Sequence, residues 1–155
     1  MHNGQVGGFD RFRKQADMLI REDFYNARRG STDSEAIFLH ALGLGLEENP
    51  LEAMAHAVRD LQTLSEQVGK GPHLRFSAAF SDGERLYAVR YASDNRAPSL
   101  YYRYFDDAAG FMVVSEPLDG AVSDWNAVPA GTALVFDAGE VTISPFLPMQ
   151  LSQAA

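Results

Sequence analysis

There is no cysteine among the 155 residues of this chain. That absence excludes disulfides, thiolate metal sites and a thiol nucleophile within the sequence itself, and it leaves the redox compartment unread. No apolar run approaches the roughly 20 residues a membrane helix needs. No basic stretch followed by an apolar one opens the chain, so neither a membrane span nor a signal peptide is expected and the expected location is cytoplasmic. Positive charge is scarce as well: 13 Lys and Arg stand against 21 Asp and Glu, for a net charge of −8. The cations are scattered, whereas phosphate contacts need them clustered, so nucleic acid is not an expected partner and a small solute or a protein is. The four histidines, His2, His40, His56 and His73, lack metal-ligand spacing, and no metal site is expected.

What is present suits a folded core. Hydrophobic residues make up 46% and aromatic residues 11% of a chain of single-domain size. The first half has helical period. Phe9, Phe12, Ala16 and Ile20 fall on one side of a helix. A second helix is expected from Thr32, in a reciprocal capping box: the Thr32 hydroxyl takes the Glu35 amide while the Glu35 carboxylate reaches back. Its body, Ala36 to Leu42, is apolar nearly all round, which implies burial on several sides. A third helix opens at Asn49-Pro50, with Asn49 as cap and Pro50 in the first turn, and carries a stripe of Met54, Val58, Leu61 and Val68.

From His73 the period becomes two. Leu74, Phe76, Ala78 and Phe80 alternate with Arg75, Ser77 and Ala79, and Asp82-Gly83 reads as a two-residue hairpin turn into a partner strand running from Glu84 to Ala92. Further strands are expected at 99–105, 111–115, 132–136 and 140–144, separated by Gly, Pro and Asp clusters. Helices precede strands, so the class is α+β. No repeat, low-complexity tract or linker divides the chain, and residues 148–155 are expected to form a frayed tail.

Five short motifs occur in order: His2-Asn3-Gly4 with Gly7-Gly8-Phe9, Ser31-Thr32-Asp33-Ser34-Glu35, Ala88-Val89-Arg90-Tyr91, Val114-Ser115-Glu116-Pro117-Leu118, and Trp125. A lone Asn-Gly is ordinarily a turn, and a lone carboxylate in the first turn of a helix is ordinarily there for the dipole. Together and in register, the motifs resemble the C-terminal portion of a class II glutamine amidotransferase domain of the stand-alone bacterial type. The resemblance implies an N-terminal-nucleophile hydrolase fold, an αββα four-layer sandwich, of which this chain would be a single partial domain over residues 1–155 with its first half missing.

The resemblance also implies roles. Hydrolysis of the glutamine γ-amide passes through a tetrahedral intermediate whose oxygen becomes negative, so donors must point at it in advance. The family's oxyanion donors carry over to the Asn3 side-chain amide and the Gly4 backbone N–H, and its glutamine-ammonium ligand carries over to Asp33. The family's nucleophile is an N-terminal cysteine activated by its own α-amine, and an arginine-bearing segment clamps the substrate carboxylate. Both would lie upstream of this sequence. No cofactor is implied. The expected partners are glutamine or a γ-glutamyl compound, with the missing half or a second copy as a possible protein partner across the open sheet. The alternative, from another class, is a non-catalytic module that binds glutamine, a γ-glutamyl compound or a protein.

Ser115-Glu116 and Trp125-Asn126 read as organisers of strand ends, Tyr101, Tyr102 and Arg103 as alternating sheet residues, and His40 as a core histidine. The loop from Asp94 to Arg96 is assigned no role.

Overall fold

The computed structural model describes residues 1–69, 71–118, 120 and 122–150. Among the described residues are four α-helices, α1 (Phe9–Leu19), α2 (Glu22–Tyr25), α3 (Asp33–Gly43) and α4 (Pro50–Gln67). Eight strands are described: β1 (His2–Val6), β2 (Leu74–Ser81), β3 (Leu86–Ala92), β4 (Tyr101–Phe105), β5 (Gly110–Val114), β6 (Asn126–Ala127), β7 (Thr132–Asp137) and β8 (Glu140–Pro145). The class is α+β, as expected, and the pairings β2–β3, β3–β7, β4–β5, β4–β6 and β7–β8 are antiparallel. Contacts divide the chain into two compact units: Met1–Gly4 with Arg75–Phe146, and Gln5–Leu74 with the chain from Leu147.

In the first unit, β1, β2, β3, β7 and β8 follow one another across a five-stranded sheet, and β5, β4 and β6 across a three-stranded one. The alternation in β3 and β7 aims Ala88, Leu134 and Phe136 at a cluster shared with Leu100 and Val128, onto which Tyr102 and Phe111 of the smaller sheet pack. Phe136 meets Tyr102 and Phe111 with ring centroids 5.3 and 4.9 Å apart. Each such side chain contributes about 1.5–3 kcal/mol of burial. The β2–β3 connection has four residues, Asp82 to Arg85, in place of the expected two, since Ser81 pairs with Leu86. Asp82 sets that length: its Oδ1 accepts the amides of both Glu84 and Arg85, closing a wider Asx-type turn.

In the second unit, α1, α3 and α4 pack against one another. The expected α1 stripe is largely buried at Phe12, Ala16 and Ile20, with Phe9 half-covered. Ala36, Ile37, Leu39, His40 and Ala41 of α3 are all buried, as the all-round apolar pattern requires, although Phe38 is exposed. Met54, Val58 and Leu61 of α4 are buried too.

The helix starts differ from expectation in two ways. Thr32 caps α3 through its Oγ1, which accepts the Glu35 amide at 3.3 Å, but the Glu35 carboxylate does not close the box. It reaches further back and accepts the amides of Arg29 at 2.7 Å and Gly30 at 2.8 Å. Asn49 precedes α4 without a side-chain cap bond, and Pro50 alone supplies the start signal. Of the tail, Pro148–Gln150 forms a 3₁₀ turn; residues 151–155 lie outside the described residues. Among the described residues no helix is long and apolar enough to cross a membrane.

Candidate functional site

Asn3 and Gly4 lie in β1, which is an outer strand of the five-stranded sheet, and both are exposed. Met1 and Ala79 exchange both backbone bonds, Met1 N to Ala79 O at 2.8 Å and Ala79 N to Met1 O at 3.0 Å. Amides leave a strand on alternate edges. Met1 therefore faces β2, and Gly4, three positions on, turns its N–H to the open edge. Gly4 has φ +152°, and a Cβ there would overlap the Arg75 carbonyl, so the position accepts glycine only. His2 lies against the Phe76 ring, 4.8 Å between centroids, which orients the residue before Asn3.

Asp33 is the first residue of α3 and is half-buried. Its Oδ2 accepts the Val6 amide at 2.7 Å, and its Oδ1 accepts the Ser34 amide at 2.8 Å. The motif Ser31 to Glu35 is thus tied to Val6 within the second unit. Each carboxylate oxygen has two lone pairs, so Oδ2 keeps acceptor capacity beyond Val6.

Sequence reasoning missed the residues that build this turn. The Arg28 guanidinium, only 8% exposed, meets Glu35 Oε2 at 2.9 Å and Asp17 Oδ1 at 3.0 Å, and donates to the Thr32 carbonyl at 2.9 Å. The Arg29 amide first, with the Gly30 amide and the Arg28 charge, holds Glu35 below the ordinary glutamate range, against the desolvation that opposes it. Glu35 stands seven positions after Arg28, a spacing that would put both on one face of a continuous helix, but α3 starts only at Asp33, so the pairing depends on the loop before it.

The remaining motifs hold the frame. Arg90 of β3 donates to the carbonyls of Pro98 at 2.8 Å, Val128 at 2.7 Å and Ala97 at 3.2 Å. Glu116 accepts the Ser99 hydroxyl, and Trp125 packs edge-on to Phe105 with centroids 5.9 Å apart. Asp94 is engaged by Arg75, Nη2 to Oδ2 at 2.7 Å.

Two of the histidines, His40 and His73, are bonded within the fold. His40 Nδ1 donates to the Leu19 carbonyl and its Nε2 meets Asp60 Oδ2, each at 3.0 Å. His73 lies 3.2 Å from the fully buried Ser65 hydroxyl, which donates to the Gly7 carbonyl and has no access to a substrate. Among the described residues no group of three or more His, Asp or Glu could hold a metal ion.

No protein-family model matches the sequence. A solved glutamine aminotransferase class-II domain protein from Silicibacter pomeroyi is 53% identical, superposes with a TM-score of 0.91, and is matched over 97% of this chain and 67% of its own. The chain belongs to the glutamine amidotransferase class-II domain family. Among curated proteins, it is similar to the probable glutamine amidotransferase DUG3 of Saccharomyces cerevisiae, 25% identical over 95% of this chain and 52% of that protein. The chain therefore spans about half the length of that curated relative. The crystal structure of a predicted glutamine amidotransferase from Pseudomonas aeruginosa, 22% identical with a TM-score of 0.54, covers 91% of this chain and 58% of its own and shares the fold.

Proposed function

We propose that this family member forms the oxyanion and amine sites of a glutamine amidotransferase of the N-terminal-nucleophile hydrolase type. In this reading a cysteine thiolate attacks the γ-carbonyl carbon of glutamine and the carbonyl oxygen takes the negative charge. Asn3 Nδ2–H and Gly4 N–H donate to that oxygen, while Asp33 binds the α-ammonium by a charge-assisted hydrogen bond. Collapse of the intermediate breaks the C–N bond, ammonia leaves with a proton returned from the nucleophile's α-amine, and water then cleaves the thioester to glutamate. The sequence holds no cysteine, so the sulfur is not among these 155 residues.

The observation that carries the reading is the Gly4 amide turned outward from β1, beside an exposed Asn3, at a position closed to any side chain. Asp33, a half-buried carboxylate whose Oδ2 keeps acceptor capacity beyond the Val6 amide, supports the second half of it.

Ammonia release from glutamine tests the proposal. The chain alone should release none, and the chain supplied with a segment bearing an N-terminal cysteine should turn over. Asn3→Ala in that complemented enzyme should lower kcat by about 10²–10³-fold. Turnover by the chain alone, or an N3A enzyme at the unmodified rate, would overturn it. Glutamine binding without turnover under every complementation would favour the binding module.

A further inference from the structure

We infer that Arg28 is a positioning residue for the Asp33 carboxylate, acting through the Thr32 carbonyl and Glu35. The inference rests on the assignment of Asp33 as the ammonium ligand. Arg28 Nη1 reaches both the Thr32 carbonyl and Glu35 Oε2 at 2.9 Å, and Nη2 reaches Asp17 Oδ1 of α1 at 3.0 Å. The Thr32 carbonyl belongs to the same planar peptide as the Asp33 amide, so fixing one fixes the other. On the far side, Glu35 is held by the amides of Arg29 and Gly30, and a Cβ at Gly30 would come within 3.1 Å of its Oε2. Residues 32 to 35 are clamped at both ends, with Asp33 between them. Within that clamp the Asp33 oxygens accept the amides of Val6 and Ser34.

Stability does not account for this arrangement. A guanidinium 8% exposed has given up its water, and ion clusters of this kind contribute little net stability compared with apolar packing of the same volume. What a fork of rigid donors does supply is direction. Here the direction is toward two points that bracket one carboxylate.

The test compares two ligands on the full chain by titration calorimetry. L-Glutamine carries the α-ammonium; glutaric acid monoamide is the same molecule without it. Wild type should prefer glutamine. Arg28→Met should weaken glutamine binding by about tenfold, the worth of one charge-assisted bond, and leave the monoamide unmoved. Arg28→Lys, which keeps the charge and loses the fork, should weaken glutamine in the same selective way and covers the case of a poorly folded R28M.

Equal loss for both ligands would reduce Arg28 to a structural role and overturn the inference. If Asp33→Asn abolishes the preference while R28M and R28K retain it, the ammonium assignment stands and the inference falls. A wild type without preference removes both. Independently of any ligand, hydrogen exchange at the Val6 and Ser34 amides should quicken in R28K while Gly7, held by the His73 carbonyl, keeps its protection. Unchanged Val6 and Ser34 protection would overturn the inference.

Discussion

The Val6 amide donates to Asp33 Oδ2 at 2.7 Å, across 27 positions of sequence. Val6 thus spends its donor on the carboxylate that the resemblance assigns to substrate. Asp33 is therefore both a fastener and a candidate ligand.

Gly4 is the most constrained residue of the candidate site. Gly4→Ala adds a Cβ that meets backbone, the Arg75 carbonyl, and forces alanine to a φ of +152°. We expect a loss of at least about 1–3 kcal/mol in urea denaturation. An alanine variant with an unchanged midpoint would mean that β1 stands farther from Arg75.

Arg90 should matter to stability and not to ligand choice. Arg90→Met leaves the carbonyls of Pro98, Val128 and Ala97 without their donor and is expected to cost about 2–3 kcal/mol. A lysine has no fork, so Arg90→Lys should recover only part of the loss. Full recovery with lysine would assign the effect to charge alone.

Asp82 gives a pH signature. The Arg85 amide, then the Glu84 amide and the Tyr87 hydroxyl, lower its pKa from the ordinary 3.8 to about 2. The folded pKa is the lower one, so its contribution is fully present above pH 3.8 and is lost as pH falls toward 2. Asp82→Asn should flatten the acid limb of the stability curve in that window. Carboxyl NMR should place the Asp82 midpoint near 2, and a midpoint of 3.8 would contradict the turn geometry.

Long periodic segments were legible in the sequence because their signal is local: α1, α3 and α4 from apolar stripes, β2 to β5 and β7 to β8 from alternation and turn residues. The Thr32 cap was legible for the same reason, being three residues from its amide. Elements of two to four residues, β6 and α2, carry too few positions to show a period. The Glu35 reach to Arg29 and Gly30 depends on how the loop folds, and the burial of Arg28 depends on α1. Asn3, Gly4 and Asp33 were named from motifs, while the bond that ties Asp33 to β1 lies in tertiary structure alone.

The glycine in β1 also has a bearing on how the sheet assembles. A slip of β1 by one residue along β2 would turn the Gly4 amide inward, where the ladder would consume it, and would present the neighbouring Asn3 or Gln5 to the Arg75 carbonyl. Neither fits where only a hydrogen does. The missing methyl thus acts as a key in a lock, admitting a single alignment of the outer strand and so deciding which of its amides look outward.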